Sequence, residues 1–462
     1  MSNVCNARHR NVGTTSRNRP ILQSILLSLR LQLYKLQCFV FNHPLPLKLL
    51  LALLRRLRPV AIIGKFVFVA KARDVLEVLH RIEDFTEADV LAPKMPWGPF
   101  IISIDWPEQH ARERHLLQSV VFPESDAEML RRTAAKRCGE LIEHARRCEH
   151  GEINVVTKLF EPVVVDIVGS YFGIPVIGEP HEMAHLLGQI AGFIMVDPPL
   201  GSDRWIESRE CIARLTNTIT ELIRQVPQSA TKDADLLTRL VVKLRDNRDR
   251  KRNPFWFNED WIRRYITGVT VFGGATSIRA ATQAIDRLIE YPAAVCQARK
   301  LARQLEESAK IESLDAAREP EWRAAEQRSK LQQIIYEGLR LRPMLPLLHR
   351  YIPREAIIAK GTAHARMAPA GYTLLASPLA AMYDPGEFPH PWHFSTERCL
   401  KNYIHFGCGP RLCFGKYVAD VLLVETISAL LRLNGLKRAS GSRGHVKYDG
   451  TAVRSLVLTF KP

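Results

Sequence analysis

The sequence contains no acidic residue before Asp74, although thirteen lysines and arginines precede it. It has no long apolar run either. The longest stretch free of Asp, Glu, Lys and Arg is the 17 residues 367–383, broken by Pro369, Gly371 and Pro378, which excludes a transmembrane helix of ~20 apolar residues. No Pro/Gly/Ser-rich linker, low-complexity tract or internal repeat divides the 462 residues, so one large domain is expected where roughly 100–200 residues per domain would allow several. The nine cysteines form no C-x-x-C pair and follow no secretory signal of normal form; this excludes a disulfide scaffold and points to a reduced, intracellular, cytoplasmic protein. Also missing are a glycine-rich nucleotide motif after a strand and a cysteine set for an iron–sulfur cluster, so no electron-transfer domain is fused to the chain.

The net charge of +17 is concentrated at one end: only +4 of it belongs to residues 74–462, an almost balanced body that argues against nucleic-acid binding. Residues 1–58 are therefore read as a basic amphipathic extension and 59–462 as the domain proper. After Pro20, the residues Ile21, Leu22, Ile25, Leu26, Leu29, Leu33 and Leu36 share one helical face, with Arg30 and Lys35 interleaved, the pattern of a helix lying on a surface. Residues 20–58 are expected to make peripheral contact with a membrane. Packing on the domain and an arginine-rich transit peptide are the alternatives that the same residues allow.

Within the body, 65–69 (KFVFV) reads as a strand and 74–82 as a helix; longer helical patterns follow at 125–148, 161–171 and 205–226. Asn258 or Asp260 can cap a helix running to Leu288 and closing at Pro292, about thirty residues and long enough to cross the domain. The charge-dense stretch 299–330 reads as a solvated helical face. Between 350 and 375 the spacing turns β-like, interrupted by Pro-Ala-Gly. The expected fold class is mostly α with a minor β region.

The most informative segment is FGCGPRLCFG, residues 406–415. Gly407 and Gly409 allow the backbone to fold tightly around a closely approaching group, and Cys413 precedes the helical pattern 417–430, where the dipole and free N–H groups favour a thiolate. Phe406 can shield the sulfur, and Arg411 projects a cation from the same loop. Zinc on Cys399, Cys408 and Cys413 with His390 or His393 is the rival reading, disfavoured because no ligand pair has close spacing.

The pattern F-x-x-G-x-R-x-C-x-G at Phe406, Gly409, Arg411, Cys413 and Gly415 resembles, without substitution, the haem-ligand signature of the cytochrome P-450 family. That resemblance implies a single large cytochrome P-450 fold, haem b as cofactor and the Cys413 thiolate as its axial ligand, with Phe406, Gly407, Arg411 and Gly415 around the porphyrin. Glu337 and Arg340 in YEGLR resemble the family's E-x-x-R motif. FSTER, ending at Arg398, resembles the segment that completes a buried structural triad with that pair, although Thr396 and Cys399 stand where the family usually has Pro and Phe. His110 and Arg114 are similar to the H-x-x-x-R pair that binds haem propionates, and Arg350 matches a further propionate contact.

The family's oxygen-activating motif falls at Gly273, Gly274, Ala275, Thr276 and Ser277. The glycine pair is present and implies room for a ligand over the iron; the usual acid is absent, and Ser277 replaces the usual Thr. An O₂-using route needs protons delivered to oxygen while its O–O bond breaks, and the hydroxyls of Thr276 and Ser277 can relay them only through water. A substrate that is already a hydroperoxide needs no such relay, and residues 272–288 resemble family members that rearrange fatty-acid hydroperoxides or use peroxide directly.

The resemblance therefore implies, first, a monooxygenase acting on a hydrophobic small molecule with electrons from a separate ferredoxin- or flavodoxin-type donor. The alternative is a peroxide-using or hydroperoxide-rearranging enzyme that needs no reductant; a haem-based sensor is the reading from a different class. Lys401, Arg411 and Lys416 are expected to form the basic face that docks an acidic donor. By family position, 86–104, 185–196 and 345–348 are expected to line a pocket for an apolar or lipid substrate.

Overall fold

The computed structural model of the chain describes residues 18–313 and 321–461. Its helices are α1 Asn18–Asn42, α2 Leu45–Leu57, α3 Ala72–His80, α4 Ala88–Leu91, α5 Pro107–Gln118, α6 Pro123–Cys148, α7 Glu161–Ser170, α8 Pro180–Met195, α9 Asp203–Gln225, α10 Leu236–Asp249, α11 Glu259–Leu288, α12 Pro292–Ser313, α13 Glu321–Leu341, α14 Pro378–Ala381 and α15 Lys416–Leu431. The strands are short: β1 Val60–Ile63, β2 Phe66–Val69, β3 Glu152–Asn154, β4 Leu348–Tyr351, β5 Ala356–Ile358, β6 Arg366–Ala368, β7 Thr373–Ala376, β8 Lys437–Arg438, β9 Lys447–Asp449, β10 Ala452–Ser455 and β11 Val457–Thr459. A mostly helical chain with a minor β region is thus observed.

The organising element is α11. The Asn258 side chain accepts the Trp261 N–H at 2.9 Å and fixes where the helix begins, the role expected of an N-cap. From there the helix is surrounded by α7, α8, α9, α13 and α15. Trp261, Ile262, Tyr265 and Ile266 are fully buried, so apolar side chains on almost every face anchor it in the core.

The largest sheet has the order β1-β2-β7-β4. β1 and β4 are antiparallel to their neighbours, and β2 runs parallel to β7. This is the late sheet anticipated from 350–375, joined by the early strand at 66–69. A three-stranded sheet, β3-β11-β8, and the hairpin β9-β10 near the carboxyl end have no counterpart in the sequence reading.

Hydrogen bonds cross the boundary drawn at residue 58. Lys48 Nζ donates to Tyr383 Oη at 2.7 Å, Arg55 reaches the carbonyls of Ala70, Ala380 and Tyr383, and Asn42 donates to Gly450 O at 2.7 Å. Leu47 and Leu51 are buried beneath α2. The opposite faces are apolar and exposed at Leu26, Leu29 and Leu33 on α1 and at Leu45, Leu49 and Leu53 on α2. The side chains of Ile21, Leu22 and Ile25 lie outside the described residues, as does part of 299–330. Among the described residues no single helix is long and apolar enough to cross a membrane; Leu26–Asn42 and Leu45–Leu57 meet that measure only as a pair bent by 76°.

Candidate functional site

One cavity of about 740 Å³ dominates the interior, enclosed by α11, the loop before α15, β4 and the segment between α4 and α5. It is the size of a pocket for a cofactor and a lipophilic ligand. Residues from all three expected lining segments contribute, among them Phe100 and Ile101, Ile194 to Val196, and Leu345 to Leu348. Leu36, Val40 and Phe41 of α1 and Leu47 of α2 line it too, a contribution the sequence reading did not include.

Residues 406–415 form a tight loop under one end of the cavity. Cys413 N–H donates to Phe406 O at 3.0 Å and Gly407 N–H to Ile404 O at 3.1 Å, closing two turns. Both glycines have left-handed backbones, φ 72° at Gly407 and 68° at Gly409, and a Cβ at Gly409 would stand 2.8 Å from the His80 ring. Phe406, Gly407, Cys413 and Gly415 all line the cavity, and Gly415 is the N-cap of α15. Burial raises the Cys413 thiol pKa above its ordinary value, opposed by the Gly415 N–H and by Arg114. The Gly415 N–H and Arg114 are thus the groups that favour an anionic sulfur here, against the larger effect of burial.

Four cationic or basic groups expected around this centre converge beside the loop. Arg114 donates to Leu412 O at 2.9 Å. Arg350 and Arg411 share the carboxylate of Glu87, and Arg411 also binds Asp105. His110 is buried, and burial followed by the charges of Arg411 and Arg114 brings its pKa down to about 4, keeping the ring neutral. Glu87 and Asp105 were not legible as partners: they come from positions 324 and 306 residues away from Arg411. Arg411 is only 5% exposed, so it cannot belong to a basic docking face with Lys401 and Lys416, and Lys416 is itself paired with Asp420.

On α11 the expected catalytic residues divide. Gly273, Thr276 and Ser277 line the cavity, whereas Gly274 faces α8, where a Cβ would lie 2.6 Å from Leu187 Cδ1. Gly274 therefore serves helix packing and does not open space over the ligand. Thr276 Oγ1 donates to Phe272 O, and Ser277 Oγ donates to Gly273 O at 2.6 Å. Both hydroxyls are held by carbonyls one turn back. Asp197, beyond the end of α8, is the one acidic side chain among the described residues lining the cavity.

Glu337, Arg340 and Arg398 lie away from the cavity as a buried cluster. Arg340 binds both Glu337 oxygens, Arg398 Nε reaches Oε1 at 3.2 Å, and Tyr403 Oη donates to Oε2 at 2.8 Å. Arg340 also donates to the carbonyls of Met382, Pro391 and His393, which ties α13 to the segment leading into the cysteine loop. Every described cysteine is a free thiol.

A family model for cytochrome P-450 matches residues 181–454. Linoleate diol synthase from Gaeumannomyces graminis is 38% identical over 77 residues, 17% of this chain and 7% of that protein. A bifunctional dioxygenase–epoxy alcohol synthase from Fusarium oxysporum is 37% identical over 78 residues, 17% of this chain and 6% of that protein. The chain thus matches only a small part of those curated relatives. The crystal structure of CalO2 superposes with a TM-score of 0.68 at 20% identity, covering 92% of this chain and 97% of that one.

Proposed function

The chain belongs to the cytochrome P-450 family of haem-thiolate oxidoreductases, and from that premise we propose that it rearranges a lipid hydroperoxide without external electrons. The observation that carries this reading is on α11, which presents no acid to the cavity and whose two hydroxyls donate back into the helix. O₂ activation needs proton delivery from that place; an O–O bond that arrives already formed does not. The names of the diol synthase and epoxy alcohol synthase relatives support oxygenated fatty acids as the substrate class.

The cavity fits haem. Cys413 lies where a thiolate ligand is needed, Arg411 Nε is buried with no partner among the described residues, and three arginines beside His110 face only two carboxylates. That net positive charge, with the neutral His110 ring as a further hydrogen-bonding group, suits an anionic carboxylate edge such as that of haem. When bound, thiolate-ligated haem supplies cleavage of the O–O bond. The chain's own residues would do the rest: Cys413, with the Gly415 N–H directed at its sulfur, would supply the thiolate ligand, while His110, Arg114, Arg350 and Arg411 would hold the propionates. Gly273 lines the cavity beside the Phe172 ring, whose Cζ would stand 3.1 Å from a Cβ at that position, and Phe100 and Phe272, stacked with centroids 5.7 Å apart, add an apolar wall there. In the rearrangement the O–O bond breaks, one oxygen stays on its carbon and the other is transferred to a neighbouring carbon, so no reductant is consumed.

The test is to supply the purified holoenzyme with an ¹⁸O-labelled linoleate hydroperoxide and no reductant. An isomeric product retaining both labelled oxygens supports the reading. Inertness toward hydroperoxides, together with hydroxylation that requires O₂ and a ferredoxin- or flavodoxin-type donor, overturns it in favour of monooxygenation. The exposed leucines of α1 and α2, beside a segment rich in Lys and Arg, also support peripheral contact with an anionic membrane.

A further inference from the structure

Four obligate or near-obligate cations line the cavity: Lys94, Arg114, Arg350 and Arg411. The three arginines are engaged, Arg114 by the Leu412 carbonyl and the other two by Glu87 and Asp105. Lys94 differs. Among the described residues its ammonium has no hydrogen bond and no ion pair, although the side chain is only partly exposed and lines a mainly apolar cavity.

Its position is also distinct. Lys94 ends the single 3₁₀ turn Ala92–Lys94 and lies close enough to His349 of β4 to oppose protonation of that ring. The charge acting on Lys94 itself is Asp197, exposed just past the end of α8 and too distant for an ion-pair contact. Lys94 thus lines the cavity wall near His349 of β4 and within electrostatic reach of Asp197 past the end of α8. Burial lowers its pKa and Asp197 partly restores it, as for a cation that has lost water without gaining a partner.

We propose that Lys94 anchors the carboxylate of the substrate, so that the site selects a free amphipathic acid whose apolar chain extends along the cavity toward Cys413. A bare ammonium in an apolar wall is costly, and a carboxylate within hydrogen-bond reach gives it a charge-assisted partner that an ester or alcohol cannot supply. Lys94 is then a specificity-determining residue: it fixes one end of the chain, and which carbon lies over the iron follows from its distance to the head group. The inference rests on the lipid reading above and narrows it to unesterified acids.

The experiment measures binding, separately from turnover. The holoenzyme is titrated with linoleic acid and with methyl linoleate, following the haem Soret band and, in parallel, heat by calorimetry. The wild type should bind the acid at least about tenfold more tightly than the ester, a difference expected of one charge-assisted hydrogen bond. Lys94→Met should weaken acid binding by about that factor and leave the ester unchanged; Lys94→Arg should keep the preference. Asp197→Asn, which removes the competing carboxylate, should tighten acid binding and covers the case in which Lys94→Met does not accumulate as holoenzyme. Equal affinity for acid and ester in the wild type, or a preference that survives in Lys94→Met or is indifferent to Asp197→Asn, overturns the assignment. An acid preference that depends on Lys94, found together with failure to rearrange any hydroperoxide, would refute the proposed reaction and leave the anchor standing.

Discussion

Glu337 grips Arg340 through both carboxylate oxygens, Oε2 receiving Nε at 2.8 Å and Oε1 receiving Nη2 at 2.7 Å, with both side chains fully buried. Burial opposes the ionised carboxylate, but Arg340, Tyr403 Oη and the Ser395 N–H outweigh it and hold the carboxyl below its ordinary range. Removing either partner strands a charge in the core. Glu337→Ala or Arg340→Ala should therefore cost on the order of 3–5 kcal/mol and deplete haem, because the same arginine positions the segment before the cysteine loop. Denaturant melts and haem-to-protein ratios at the wild-type level would show that the cluster has no such role.

Cys413→Ala should abolish the carbon monoxide difference band of thiolate-ligated haem. Cys408→Ala should retain it, although Cys408 also lines the cavity. A thiolate spectrum persisting in the first variant would assign the iron to another sulfur.

Glu161 gives a pH prediction. Burial raises its carboxyl pKa to about 7, offset in part by Arg454. A folded-state pKa above the unfolded one means that the native protein binds the extra proton, so this group destabilises progressively as pH rises from the ordinary carboxylate range through about 7. Glu161→Gln should accordingly gain stability over the wild type by about 3 kcal/mol between pH 4.5 and pH 8. Thermal melts across that range read the difference directly, and a constant gap would mean that Glu161 is ionised without penalty.

Serine at Leu26, Leu29 and Leu33 together should reduce binding to anionic vesicles at least about tenfold, since each exposed leucine inserted into lipid contributes on the order of 1.5–3 kcal/mol. Haem content should not change. Alanine at Lys48 or Arg55, by contrast, should lower the melting temperature, because these side chains tie α2 to Tyr383 and Ala380. Vesicle binding unaffected by the three serines would place the lipid contact elsewhere.

The cysteine loop was legible because its information is local: three glycines, an arginine and two cysteines within ten residues, followed by a helix. The same holds for α6, whose helical spacing follows Pro123, and for α11, whose spacing is preceded by the Asn258 cap. What escaped the sequence depends on distant partners. β8 to β11 are two to four residues long and acquire meaning only from their pairing, as when β11 joins β3 from some three hundred residues away. α8 was read as a pocket-lining apolar run, and α10 was not read at all, since in both tertiary packing decides more than pattern. Gly274 matched a motif yet packs against Leu187, and Arg411 matched a motif yet shows no outward charge; in each case the type of residue was legible and its orientation was not.

The parallel pairing of β2 with β7 sets a schedule for synthesis. Phe66 to Val69 leave the ribosome about 300 residues before Thr373 to Ala376, which at roughly 5–20 residues per second is a wait on the order of 15–60 seconds. During that interval the hairpin of β1 and β2 carries an apolar strand with an open edge, the form most prone to pairing with the wrong chain. Slowing translation between residues 70 and 370 should therefore lower soluble yield, and chaperones that shield nascent strands should restore it, without any change in the finished fold.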